Sequence, residues 1–181
     1  MAYRILILWL MASILGSGCT PTDEQIVVQD TAFFDLGQFF DQEMDTWSGK
    51  TVNKVVELND TQESQIRSDL NYEAEFQLFK QADINKTALL DKYDVDSLIE
   101  AGILKQVHYK AKNKQLNTQE LKIQYVDNEV IGLNISRQVK NVLFQTEQAL
   151  SYTSGKSYSI ETVQSVRFFA PKSTSISVKL Q

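Results

Sequence analysis

The sequence predicts an α+β fold: a curved, half-barrel-like antiparallel β-meander whose one apolar face is covered by two amphipathic helices from the N-terminal half. Three observations carry this expectation. Apolar residues recur at helical spacing only in the first half of the chain. From Tyr93 onward they alternate with period two. Hairpin registers worked out separately at three turns agree on a single apolar face, and a one-residue slip at any of them would break the agreement.

The chain opens with Arg4, an apolar run from Ile5 to Leu15 and the small residues Gly16-Ser17-Gly18 before Cys19, its one cysteine. Positive start, short apolar stretch and small-residue site are the layout of a secretory signal peptide. The run is too short for a stable transmembrane helix, which needs about 20 apolar residues. It resembles a bacterial lipoprotein signal, although Gly16 holds the place where that family usually has leucine and Leu15 stands one further back. The resemblance implies that residues 1–18 are removed and that Cys19 is acylated as the mature N-terminus. Thr20, where a retention signal would place aspartate, implies the outer membrane as destination. Acyl chains contribute about 0.8 kcal/mol per buried CH₂, so several on one cysteine anchor a protein whose fold is itself water-soluble in character.

Residues 19–30 read as the lipidated cysteine and a polar tether, and residues 31–181 as one α+β domain. Arg4 is the sole charged residue of 1–18, which leaves 17 Lys/Arg against 23 Asp/Glu and a net charge of −6. That excess, with no run of Lys and Arg, argues against nucleic acid and against electrostatic docking on anionic lipid. A lone cysteine excludes an intrachain disulfide.

In the domain, Phe33, Leu36, Phe40, Met44 and Trp47 recur at i, i+3, i+7, i+11 and i+14, predicting a helix over Thr31–Trp47. Asp30 or Thr31 is its expected cap and Gly49 its end. Thr51–Leu58 and Gln62–Ser68 read as a hairpin around Asn59-Asp60. A second helix is expected from about Asp69, with Asp69 as N-cap and Tyr72, Phe76 and Phe79 on one face.

The meander over residues 103–180 follows from its turns. A three-residue loop Asp127-Asn128-Glu129 pairs Tyr125 with Ile131, Ile123 with Leu133 and Leu121 with Ile135. A loop Ser154-Gly155-Lys156 pairs Tyr152 with Tyr158, Leu150 with Ile160, Phe144 with Val166 and Val142 with Phe168. A two-residue connection at Val139-Lys140 sets Ile135 beside Phe144. Thr174, Ile176, Val178 and Leu180 are the inward set of the last strand.

Four polar residues interrupt the apolar face in these registers: Thr146 opposite Gln164, and Gln148 opposite Thr162. Buried polar groups must find partners, since an unmet one costs about 1–3 kcal/mol. Two readings follow. Either they satisfy one another or lie where the strands outrun the helices, or they orient a ligand in a cavity between sheet and helices.

The remaining chemistry is sparse. His108 is the one histidine, so zinc has no second imidazole and no second thiol, and no Gly-x-Ser-x-Gly elbow accompanies it. Asp91, Asp94, Asp96 and Glu100 form the densest acidic run. Leu98 and Lys105 fall where a calcium loop needs oxygen ligands, so a solvated edge is the better reading. Asp30-Thr31-Ala32 and Asp96-Ser97-Leu98 resemble O-glycosylation sites of Bacteroidota envelope proteins. No glycine-rich phosphate cradle occurs, and no cofactor is expected.

Beyond its signal, the chain resembles the small outer-membrane lipoproteins of Bacteroidota. The Phe33-Phe34-Asp35-Leu36 and Phe39-Phe40-Asp41-Gln42-Glu43-Met44 wording and the meander carry that likeness, which implies location and no activity. The expected function is a non-enzymatic binding or assembly module of the envelope. The alternative is a carrier of a lipid or other apolar ligand. Cys19→Ala is expected to move the protein from the detergent-extracted membrane fraction to the soluble fraction and to remove the acyl mass from the mature N-terminus. Unchanged fractionation and mass would refute the anchor.

Overall fold

The structure is a computed structural model and describes residues 33–59 and 61–181. Cys19, the signal and tether segments, the Asp30 and Thr31 caps and the first glycosylation-like triplet lie outside the described residues. Two helices, α1 (Leu36–Trp47) and α2 (Tyr72–Gln81), accompany nine strands: β1 (Val52–Leu58), β2 (Thr61–Arg67), β3 (Tyr93–Glu100), β4 (Ile103–Ala111), β5 (Thr118–Val126), β6 (Glu129–Lys140), β7 (Phe144–Thr153), β8 (Ser157–Val166) and β9 (Lys172–Leu180). All pair antiparallel in one open sheet of order β2-β1-β9-β8-β7-β6-β5-β4-β3.

The predicted α+β meander is present, and the sheet is wider than expected. The hairpin at residues 51–68 does not stand apart: β1 pairs with the last strand, Val52 opposite Leu180 and Val56 opposite Ile176. Its two strands close with Leu58 opposite Thr61. β3 extends the other edge.

Helix α1 starts later than the periodicity suggests. Asp35 is its cap, accepting from the Gln38 amide at 2.8 Å, a stronger start signal than a stripe of apolar residues. Phe33 therefore lies ahead of the helix, edge-on to Tyr93 and Tyr109. The helix ends as expected before Gly49, whose φ of +71° favours glycine. Helix α2 is capped by Asn71, not by Asp69, which instead binds the Arg67 guanidinium at 2.7 Å.

Several registers hold to the residue. Tyr152 faces Tyr158, Leu150 faces Ile160 and Phe144 faces Val166. Leu121 faces Ile135 and Ile123 faces Leu133. Three details differ. The β5–β6 loop has two residues, Asp127 and Asn128, both at positive φ (51° and 66°) as the hairpin-favouring primed turns require. A bulge at Gln124/Tyr125 restores the register, so Tyr125 faces Val130 rather than Ile131. The neighbouring Gly132 is needed for close approach, because a Cβ there would lie 2.9 Å from the Tyr152 carbonyl oxygen. The β6–β7 connection is at residues 141–143, not at Val139-Lys140, so Ile135 faces Leu150 and not Phe144. Val142 and Phe168 do not pair; both stand in exposed loops beyond the strand ends.

Both helices lie on the face that carries Leu121, Leu133, Leu150, Tyr158 and Val178, here called the inner face. The space between is filled with aromatic rings. Phe40, Trp47, Phe76 and Phe79 from the helices meet Tyr152 and Tyr158 from the sheet at centroid separations of 5.1–6.3 Å, the range for edge and tilted contacts. The buried hydroxyls need partners, and carboxylates supply them. Tyr158 donates to Glu75 Oε2 at 2.8 Å. Tyr152 donates to Glu43 while accepting from Trp47 Nε1 at 2.8 Å. Lys80 of α2 joins α1 through Asp41 at 2.6 Å and is held by Glu73 of its own helix at 2.9 Å.

Burial, and next to it the Glu43 and Glu75 carboxylates, hold the Tyr152 and Tyr158 hydroxyls protonated far above the usual range. Burial also pushes Tyr93 and Tyr125 up to about 12. The folded chain therefore keeps protons that the unfolded chain releases near pH 10, and stability falls as pH rises from there. Urea unfolding midpoints are expected to be flat from neutrality to about pH 10 and to drop steeply toward pH 12. Tyrosinate absorbance should appear together with unfolding, and ionisation of all tyrosines in a still-folded protein would contradict this.

Candidate functional site

The strands of the inner face run further than the helices above them. On β6 the inward series is Leu133, Ile135, Arg137, Val139; on β7 it is Tyr152, Leu150, Gln148, Thr146; on β8 it is Tyr158, Ile160, Thr162, Gln164. The first two members of each lie under the helices and are buried. The last members emerge, forming an open polar shelf that β9 continues with Thr174.

The boundary between the two halves is Arg137, only 6% exposed. Its Nη1 donates to the Leu78 carbonyl at 3.2 Å and to Gln148 Oε1 at 3.3 Å. Leu78 is in the last turn of α2, where carbonyls lack helical partners and the helix dipole is negative. Thr118, 5% exposed, does the same for the next turn, its hydroxyl donating to the Ala82 carbonyl at 2.9 Å. The two buried polar residues of the sheet thus hold one helix end. Among the described residues Arg137 has no carboxylate partner and its Nε has no acceptor. Burial accordingly lowers its pKa from the ordinary arginine value.

The predicted pairs are adjacent as derived: Thr146 faces Gln164 and Gln148 faces Thr162. They do not satisfy one another. Gln148 is engaged by Arg137. Gln164 is exposed, Thr146 and Thr162 are half-buried, and all sit where the sheet passes the helices. A cleft of about 590 Å³ opens elsewhere, among Phe34, Gln38, Phe39, Glu43 and Ser154, and none of the four lines it. Arg137 escaped the sequence reading for a definite reason. The Val139-Lys140 turn would have set it opposite Val142, whereas the observed register sets it opposite Gln148. Its signal was its place in the Leu133, Ile135, Arg137, Val139 alternation.

His108 lies on the outer face, opposite Lys122 and Asp96. Its Nε2 is 3.4 Å from Glu120 Oε2, an oxygen that Lys122 Nζ also approaches at 3.3 Å. No serine, threonine or cysteine is paired with it across β3 or β5. Asp91 and Asp94 are exposed and meet Lys92 at 2.7 Å and Lys112 at 3.6 Å. No group of three His, Cys, Asp or Glu placed to hold a metal ion occurs among the described residues. Ser97 is exposed on the edge strand β3.

No protein family matches the chain, and no curated protein does. Among solved structures the chain is similar to the S-type phycobiliprotein lyase CPES from Guillardia theta, at 8% identity and a TM-score of 0.28, covering 84% of this chain and 94% of that one. At that TM-score the likeness lends no residue and no chemistry to the shelf.

Thr118→Val is expected to destabilise the protein by about 1–3 kcal/mol, since it strips a buried carbonyl of its donor. Arg137→Ala should cost more because it also opens a cavity. Urea unfolding of the double variant should show less than the sum, because both residues act on one helix end. Full additivity would mean they do not share it.

Proposed function

We propose that this chain is a lipid-anchored lipoprotein of the bacterial outer membrane, tethered by acyl chains on Cys19, and that its domain is a non-enzymatic binding module. The single observation that carries the binding reading is the shelf. Thr146, Thr162 and Gln164 are accessible on an inner face whose other half is closed by helices, and no hydrogen bond within the described residues consumes their side chains. Open polar groups on a rigid sheet suit recognition of a partner surface. The outward position of His108 beside Glu120, with no serine, threonine or cysteine opposite it on β3 or β5, is in keeping with a module without catalysis.

Carriage of an apolar molecule is the second reading. Its ligand would sit on the shelf or in the cleft among Phe34, Gln38, Phe39, Glu43 and Ser154, because Phe40, Trp47, Phe76, Phe79, Tyr152 and Tyr158 fill the space beneath the helices. The apolar borders Phe144, Val139 and Val56 are what favour it.

The test is native mass spectrometry of protein isolated gently from its host, beside a variant carrying Thr146→Val, Thr162→Val and Gln164→Leu. A partner protein retained by the natural chain and lost from the variant supports the module. A bound small apolar molecule retained by both supports the carrier. A variant that binds every partner as the natural chain does removes the shelf from the function. His108→Ala should leave binding unchanged.

A further inference from the structure

The most exposed apolar side chains of the described residues are gathered at one end of the sheet. Phe168 is 91% exposed, Val142 83%, Phe169 76% and Leu143 67%. They come from two loops, residues 141–143 between β6 and β7 and residues 167–171 between β8 and β9. The loops are tied to each other: the Arg167 amide donates to the Leu143 carbonyl at 3.0 Å. The first is also held closed by Asn141, whose side chain accepts from the amides of Leu143 and Phe144 at 2.8 and 2.9 Å. Phe168 has a φ of +72°, a conformation that a bulky residue rarely adopts. The loop bears that strain while both phenylalanines stand in the open.

Cations surround these apolar tips. Lys140 immediately precedes one loop, Lys172 immediately follows the other, and Arg167 lies within, its guanidinium 5.0 Å from the Phe168 ring centre. Lys114 stands on the neighbouring β4–β5 loop, which meets β6 through the Gln138 amide and the Asn117 carbonyl at 2.8 Å. None of the four is in an ion pair among the described residues. No acidic residue occurs from Val130 to Thr146 or from Thr162 to Gln181, in a chain whose net charge is −5. The flanking Glu147 and Glu161 point to the outer face. Cations with no neighbours in sequence are thus collected by the hairpins, which alters the expectation that the chain has no basic cluster for anionic lipid.

We propose that this end of the sheet is a membrane-contacting tip that inserts Val142, Leu143, Phe168 and Phe169 into the headgroup region of an anionic bilayer. The order of chemistry along the strands argues for a bilayer. Apolar and aromatic side chains are outermost and Lys and Arg stand just behind them, the depth order of residues that anchor at a lipid interface. Anionic headgroups complement Lys114, Lys140, Arg167 and Lys172. The contact is independent of the acyl anchor and orients the domain on the surface.

The test uses the full chain with Cys19→Ala, carrying an environment-sensitive fluorophore at Phe169→Cys, or at Glu129→Cys on the opposite end as control. Vesicles are phosphatidylglycerol–phosphatidylcholine mixtures or phosphatidylcholine alone. The expected result is a blue shift at position 169 and none at 129. It should be strong with anionic vesicles and weakened at least tenfold in apparent affinity by salt or by Lys140→Glu with Lys172→Glu. Equal shifts at both positions, or none at 169, would overturn the proposal. So would a shift at 169 that follows protein concentration without vesicles, which would make the tip a contact between protein molecules. A circular dichroism spectrum matching the parent shows that the charge variant is folded.

Discussion

The constraint on which this structure depends is coverage: among the described residues nine strands present one apolar face, and two short helices, with Phe33 and Ile84 from the segments beside them, shield it. A sheet with a single apolar face must bury it against another layer. Here the cover is concentrated where the aromatic rings are. Helix α2 is fixed in place by Arg137 and Thr118, which supply donors to the carbonyls at its C-terminal end. Those bonds set how far the cover extends along β5 and β6. Among the described residues the inner face beyond them is open.

A charged side chain is an expensive way to hold a helix end. Transfer of an unpaired guanidinium to a dry interior costs several kcal/mol. The helix dipole, the Leu78 carbonyl and Gln148 together offset that cost at Arg137 without a carboxylate. Gln148 is therefore both a shelf residue and a support of the core. The same logic appears at the covered end, where Glu43 and Glu75 accept from buried tyrosines and tie each helix to the sheet. Arg137, Thr118, Tyr152 and Tyr158 position helices, whereas on the shelf the side chains of Thr146, Thr162 and Gln164 are left unengaged among the described residues.

Much of this was legible in the chain itself, and the misses share a cause. Facing patterns constrain parity: which residues point inward on each strand. They do not constrain how far one strand slides past the next by an even number of residues. The inward sets of β5 to β9 were readable for that reason. At β6–β7, a turn at Val139-Lys140 and a turn at residues 141–143 put the same residues on the same face, so agreement of faces could not separate them. That slide hid the meeting of Arg137 and Gln148. The bulge at Gln124/Tyr125 was invisible in the same way, since a two-residue turn plus a bulge restores the parity of a three-residue turn. Helix α1 starts later than its apolar spacing suggests because that spacing continues past the Asp35 cap. At α2 both Asp69 and Asn71 offer cap chemistry, but Arg67 engages Asp69 and leaves the cap to Asn71. The pairing of β1 with β9 joins residues more than a hundred positions apart, and local pattern carries no signal for it.

The open half of the inner face and the apolar loops are not independent features. β7 leads from Gln148 and Thr146 to Phe144 and then into residues 141–143, and β8 leads from Thr162 and Gln164 to Val166 and then into residues 167–171. The shelf therefore drains toward the tip, with polarity falling along the way. In the covered half, by contrast, the same strands meet the Glu43 and Glu75 network and are joined by the turn Ser154-Gly155-Lys156. Along β6 to β9 the exposed rings and the cations Lys140, Arg167 and Lys172 gather at the tip end, with Glu57 of β1 reaching the same end opposite Ser175. A sheet built only to be stable has no use for that gradient, because the apolar loops contribute nothing to the core. If the tip rests on a bilayer, a molecule seated against Thr146, Thr162 and Gln164 lies just above the headgroups.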